Sequence, residues 1–312
     1  MHLSPLTPHD REAWAGLLAV AFDRPHAEMT QILDRLHATF PILAWGAWDG
    51  STLAAQYSSL LTELHIPGAT TPALVGLCIN MATHPAYRGQ GLIKQVAHPV
   101  YEELVACGGV GGVGFSNTAG VRVDRRSHSY GYRVIGRMQP WLAVLLRPPQ
   151  AAPLQLAKNW PELPPALPRD SIHFAPTPAW LDYRFDGHPQ RTYCFATYYE
   201  AGSPCEGVAY RLVRGAPGRN RRAATLLAAY GPDPAGLIAR WARLLWDTGV
   251  RVIHLLTTPG TPWISALRRV ALALPIPVTR HPYYLTVKPL GDQSPAALLD
   301  FTHWDCLGGD IL

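Results

Sequence analysis

The stretch "INMATHPAYRGQGLIKQV", residues 79–96, decides how this chain is read. It is apolar and strand-like as far as Thr83, breaks at His84 and Pro85, and sets Gly89 and Gly91 on either side of Gln90 straight after Arg88. Helical spacing follows. Glycines at a strand-to-helix junction let backbone N–H groups come close to a ligand, and the helix behind them adds unpaired amides and the positive end of its dipole. The junction is a candidate anion site.

The chain of 312 residues, 48% hydrophobic with mean hydropathy +0.01, has ample material for a core and a length that suits about two domains. Its start lacks a basic leader followed by an apolar run, and nowhere do eighteen uncharged apolar residues follow one another, so a cytoplasmic protein with no membrane partner is expected. The five cysteines, Cys78, Cys107, Cys194, Cys205 and Cys306, form no paired motif for zinc or redox work. Reduced, mostly buried thiols and no metal are expected. The net charge of +5 and pI near 9.0 suit an acidic ligand but decide nothing alone, since Lys94, Lys158 and Lys288 are the only lysines. The densest basic cluster, "RLVRGAPGRNRRAA" at 211–224, has no interleaved aromatics and lies between strand-like runs. It reads as a solvated hairpin loop rather than a nucleic-acid surface.

Thirty prolines concentrate between Pro140 and Pro178, where a linker at 149–178 with partly docked leucines is expected to separate residues 1–148 from 179–312. In the first part, "TPHDREAWAGLLAVAF" and "HAEMTQILDRLHATF" read as amphipathic helices. A hairpin turning at Asp49 and Gly50 follows, then a third strand "ALVGLCINMAT". The helix "GLIKQVAHPVYEELVACG" should kink or split at Pro99. The strand "GVGGVGFSN", a short polar helix and the strands "RVIGRM" and "WLAVLL" complete this part. The second part repeats the order: a hairpin, a strand, a helix capped by Asp233 and ended by Gly249, the strand "VRVIHLLTT", a helix "PWISALRRVALAL" and a last strand "PYYLTVKPL".

A dinucleotide-binding Rossmann turn and a Walker-type P-loop both fail on glycine spacing. What remains is an Arg/Gln-x-x-Gly-x-Gly/Ala turn, and with the flanking order of strand, turn, helix, strand ending in Asn117 and helix closing on "YGY" the first part resembles the GCN5-related N-acetyltransferase (GNAT) superfamily. The resemblance implies a fold of two tandem GNAT-like α/β (α+β) domains, each a mixed, mostly antiparallel sheet flanked by helices, the second copy degenerate. It implies acetyl-coenzyme A as co-substrate, with the backbone of Met81 and Thr83 holding the pantetheine arm. Amides from Gly89 through Gln90, Gly91 and Leu92 to Ile93 would hold the pyrophosphate, Arg88 would brace the turn, and Asn117 would hydrogen-bond near the pantetheine or the incoming nucleophile.

The chain departs from the family at three points. The last turn position, usually Gly or Ala, is Ile93; the tyrosine acid is replaced by Ser127, beside His128; and the strand glutamate of the histone-modifying branch is replaced by Leu77. Acyl transfer to an amine needs a neutral amine, an oxyanion donor and a proton for the departing thiolate. The candidate groups are Glu63 as base, Ser127 or His128 as acid, a backbone N–H near Met81 to Thr83 for the oxyanion, and Asp310 or the Leu312 carboxylate from a tail "HWDCLGGDIL" entering the cleft. The second copy reads "AAYGPDPAGLIARW" where the turn should be, so no coenzyme site is expected there. The expected function is an N-acetyltransferase acting on a small-molecule amine by direct attack in a ternary complex. The alternatives are a non-catalytic acyl-coenzyme A sensor or partner-binding protein, and a tandem aminoacyl transferase that needs no coenzyme A.

Overall fold

In chain order the elements are β1 (His2–Pro5), α1 (Arg11–Phe22), α2 (His26–Thr39), β2 (Ile42–Asp49), β3 (Thr52–His65), β4 (Ala73–Thr83), α3 (Leu92–Ala106), β5 (Gly111–Ser116), α4 (Thr118–Arg126), β6 (Arg133–Arg137) and β7 (Gln139–Val144). They continue with β8 (Gln155–Ala157), β9 (His173–Phe174), α5 (Pro178–Phe185), β10 (Cys194–Glu200), β11 (Ser203–Arg214), β12 (Arg222–Tyr230), α6 (Pro234–Asp247), β13 (Val252–Thr257), α7 (Trp263–Arg268), β14 (Leu272–Pro275) and β15 (Tyr284–Pro289). This computed structural model describes residues 1–126, 131–160, 170–185, 191–214, 222–277, 282–291 and 295–311.

The chain divides into two units that are not contiguous halves. The first comprises residues 1–64, 70–136 and 283–299; the second comprises 65–69, 137–282 and 300–312. The expected boundaries at 148 and 179 differ from this because two strands change places. In the first unit the sheet order is β1-β2-β3-β4-β5-β15-β6, and in the second it is β14-β7-β13-β12-β11-β10-β8. The last strand of the chain, β15, thus lies antiparallel beside β5, from Tyr284 opposite Ser116 to Pro289 opposite Gly111. In return β7 lies antiparallel beside β13. Both are short apolar strands that suit either sheet.

Each sheet is mostly antiparallel with an internal parallel pair, β4 with β5 and β12 with β13. In the first unit, Thr7 and Asp10 form the capping box ahead of α1, and α1 turns Trp14, Leu17 and Leu18 inward. The first hairpin turns at Asp49 and Gly50, where Gly50 takes φ +58. Helix α3 runs unbroken through Pro99, because the carbonyl that loses its partner belongs to Gln95, an exposed residue. It buries Leu92, Val96, Val100, Tyr101 and Leu104 in the first core.

In the second unit Leu154 docks into the core as the linker's leucines suggested. Helix α6 is capped by Asp233, whose carboxylate accepts from Gly236 N at 2.9 Å, and ends at Gly249 with φ +81. The helix expected over 262–274 stops at Arg268, since Leu272–Pro275 pairs with β7 as an edge strand. None of the five cysteines forms a disulfide, but only Cys306 is fully buried and Cys107 is exposed, so the expectation of mostly buried thiols fails. Among the described residues no helix is long and apolar enough to cross a membrane.

Candidate anion-binding site

Strands β4 and β5 pair over only three positions, Val75 with Gly111, Gly76 with Gly112 and Leu77 with Val113. Beyond Leu77, β4 continues to Thr83 against β3 alone, while β5 continues to Ser116 against β15 alone. The two strands splay and leave the inner edge of β4 open from Cys78 onward. Within this open stretch the β3–β4 register jumps, from Ser58 opposite Ile79 to Gln56 opposite Ala82. Tyr57 therefore faces two residues, Asn80 and Met81, and Asn80 adopts φ +49. Such a bulge releases a peptide group from the ladder.

The turn that follows is built in steps. His84 Nδ1 accepts the Ala86 N–H at 3.3 Å, which makes the His-Pro pair a turn element, and the Tyr87 hydroxyl donates to Asp49 at 2.9 Å. Arg88 Nε points back to the Thr83 carbonyl at 3.4 Å, so the arginine spans the base of the turn. Gly89 and Gly91 take φ +86 and +71, and a Cβ on either would meet nothing within 4 Å. Backbone conformation, not crowding, requires glycine at both. Gly91 is the N-cap of α3 and brings no side-chain cap. Among the described residues no acceptor takes the N–H groups of residues 89–93. Consecutive amides in this geometry form a concave anion nest at the positive end of a 15-residue helix.

The side chains here leave the nest open. Leu92 is buried and Ile93 packs against the first core, so both present only their backbones to the turn, and the branched residue at 93 is accommodated. Met81 lies half-buried beside the bulge and Thr83 ends the strand. Asn117, just past β5, spends its side-chain carbonyl on Ala119 N and Gly120 N, both at 3.0 Å, and so caps α4. Among the described residues no partner takes its amide N–H groups.

Two expected catalytic groups are placed elsewhere. Glu63 is exposed and pairs opposite Leu74, at the closed end of β4. The open end faces residues 55–58 of β3, so at the usual strand rise Glu63 lies about 17 Å along the strand from Ser58. It is not brought to the splay. Asp310 belongs to the second unit, where its carboxylate accepts from Leu307 N at 2.7 Å and faces the buried Arg184. Burial raises its acid to about 7. These contacts hold the tail in its own unit and give no support to Asp310 as base. Ser127, His128 and Leu312 lie outside the described residues.

The second unit has the same splay with a different content. Strands β12 and β13 pair from Ala223 with Val252 to Leu226 with Leu255 and then part. The opening is filled by the chain's own tail. Leu307 bridges Thr257, Gly308 lies against Leu256, and a Cβ on Gly309 would run into the Leu227 carbonyl and the Phe185 ring. The helix N-terminus is occupied as well. Glu206, 3% exposed, accepts from Asp233 N at 3.3 Å and from Arg240 at 2.7 Å, while Asp233 caps Gly236. Carboxylates of the protein stand where an anion would bind, and desolvation raises the Glu206 acid despite Arg240.

The sequence reading missed Tyr57, Asn80 and Glu206. A signal for the first existed: the strand "GVGGVG" is too glycine-rich for an ordinary strand, which marks close approach by a neighbour. A Cβ on Gly112 would fall 2.5 Å from the Tyr132 hydroxyl, and Tyr132 in turn lies 3.3 Å from that of Tyr57.

Comparison with known proteins agrees with the turn and the topology. Residues 2–116 match the acetyltransferase (GNAT) domain family. The fold is similar to that of a conserved protein of unknown function from Enterococcus faecalis V583 described as a probable N-acyltransferase, at 14% identity and TM-score 0.68. It is similar also to a GCN5-related N-acetyltransferase from Anabaena variabilis ATCC 29413, at 10% identity and TM-score 0.67. Each of these comparisons covers 92% of this chain and 72% of the other. Eis1 from Mycobacterium abscessus is a third, at 16% identity and TM-score 0.64 over 91% of this chain and 73% of that one. No curated protein matches the chain significantly in sequence.

Proposed function

We propose that the chain is a cytoplasmic acyl-coenzyme A-dependent N-acyltransferase, with acetyl-coenzyme A as donor and a small-molecule amine as acceptor, acting by direct attack in a ternary complex. The observation that carries this reading is the open, uncapped nest at residues 89–93 directly beyond a splayed, bulged strand. A pyrophosphate fits such a nest by charge and by the absence of any Cβ at Gly89 and Gly91. Each charge-assisted N–H bond contributes about 1.5 to 3 kcal/mol.

When bound, acetyl-coenzyme A supplies the activated acyl group and a thiolate leaving group. Arg88 holds the turn in shape, the open edge at Met81 and Thr83 holds the pantetheine amides, and Asn117 presents its amide N–H to the arm or to the amine. A backbone N–H of the splayed strand near Met81 to Thr83 stabilises the negative charge that develops on the carbonyl oxygen. Ser127 or His128 supplies the proton for the departing sulfur.

Calorimetric titration with acetyl-coenzyme A tests the reading. Binding near one equivalent per chain, abolished in the Arg88→Ala, Gly91→Trp double variant, is expected, and a screen of amines by thiol release then identifies the acceptor. Binding without turnover of any amine would make the protein an acyl-coenzyme A sensor. Failure to bind at millimolar ligand would overturn the reading.

A further inference from the structure

We propose that the vertex of the first splay is a closed acyl stop, built by Tyr57, Tyr101 and Tyr132 with Cys78, which limits the donor to acyl groups of two or three carbons. The inference rests on the coenzyme reading of the turn and concerns what lies at the far end of the same opening. The open edge of β4 runs from Thr83 back to Cys78, about 17 Å at the usual strand rise, which is close to the length of an extended pantetheine arm. An arm anchored at the nest delivers its sulfur to the level of Cys78. Any longer acyl chain must continue past that point.

Among the described residues that point is filled in the plane of the sheet and on the face covered by α3. In the plane of the sheet, Leu77 and Val113 are backbone-paired and buried at 1% and 0% exposure. On the face covered by α3, the hydroxyl of Tyr57 is hydrogen-bonded to those of Tyr101 and Tyr132 and to the Cys78 thiol. The three rings are 0%, 4% and 9% exposed, so the cluster is solid rather than a lined pocket. Its polar atoms satisfy one another, and pushing a ring aside breaks a buried hydrogen bond as well as packing. The glycines of β5 belong to the same device. Gly112 makes room for the Tyr132 hydroxyl, and a Cβ at Gly114 would stand 3.6 Å from that of Cys78, so the strands remain in contact just where the arm would end.

The test is binding of unreactive thioether analogues of coenzyme A bearing chains of two or six carbons, followed by calorimetry and run beside unacylated coenzyme A. The wild-type protein is expected to bind the two-carbon analogue and to bind the six-carbon analogue at least about a hundredfold more weakly, the cost of forcing extra methylenes into a filled core. Tyr132→Ala, which removes the ring over Gly112, is expected to recover most of the loss for the six-carbon analogue and leave unacylated coenzyme A unchanged. Because the wild-type series stands without the variant, a misfolded Tyr132→Ala does not spoil the test. Six-carbon binding within threefold of two-carbon binding in the wild type overturns the acyl stop while the coenzyme site survives. Failure of unacylated coenzyme A to bind overturns both.

Discussion

The splay between β4 and β5 and the splay between β12 and β13 are two versions of one structure, a parallel strand pair that parts in front of a helix N-terminus. In the first, the helix begins at a glycine without a side-chain cap, and among the described residues no segment of the chain fills the opening. In the second, Glu206 and Asp233 occupy the helix N-terminus and residues 307–309 occupy the opening. A fold of this kind must satisfy the same orphan amides and the same strand edges either with a ligand or with itself. The second unit uses its own chain for both. The difference between a binding domain and a supporting one is thus a matter of what fills the gap.

The largest effect expected from breaking this comparison comes from emptying the second opening. Deleting residues 308–312 removes Gly309 from between the Leu227 carbonyl and Phe185 and uncovers the buried Leu307. A loss of about 3 to 5 kcal/mol in urea unfolding is expected, with acetyl-coenzyme A binding to the first unit unchanged. An unaltered unfolding midpoint would mean that the tail does not hold the second unit together. A smaller effect comes from the helix end. Glu206→Ala leaves Arg240 without its partner and Asp233 N without its acceptor, and about 2 kcal/mol of stability should be lost.

A third effect is a dependence on pH. The Asp310 carboxyl titrates near 7 in the folded chain against an ordinary 3.8, because burial outweighs the help of Leu307 N and Arg184. Folding therefore takes up a proton between those values. The contribution of the neutral acid is whole below about pH 3.8 and is lost as the pH rises through 7. Unfolding curves of the wild type should lose stability as the pH rises from 4 to 8 that Asp310→Asn retains. Parallel pH profiles for the two proteins would place the ionised carboxylate in solvent.

Most single elements were legible in the sequence because their signals are local. The hairpin at Asp49 and Gly50, the strand Ala73–Thr83, the Asp233 cap and the Gly249 stop all rest on residues within a few positions of one another. The turn at 88–93 was legible for the same reason, since its conformation is demanded by its own glycines. Glu63 was misplaced because alternation along a strand gives the face of a side chain and not its distance from a splay. The helix expected through Leu274 failed because an apolar run of that length suits an edge strand equally well once β7 is present to pair with it.

The sequence by itself determined that this chain carries a glycine turn between a strand and a helix, that its elements recur in a second, altered copy, and that the copy lacks the turn. Those are properties of short segments, dictated by backbone conformation and hydrophobic period. Only the tertiary structure decided which strand lies beside which: that β15 closes the first sheet and β7 the second, that the tail enters the second splay, and that three tyrosines from β3, α3 and the start of β6 meet over the glycines of β5. Pairing between distant strands carries no local mark, because an apolar strand is selected by the sheet edge it can complete and by the volume left for its side chains.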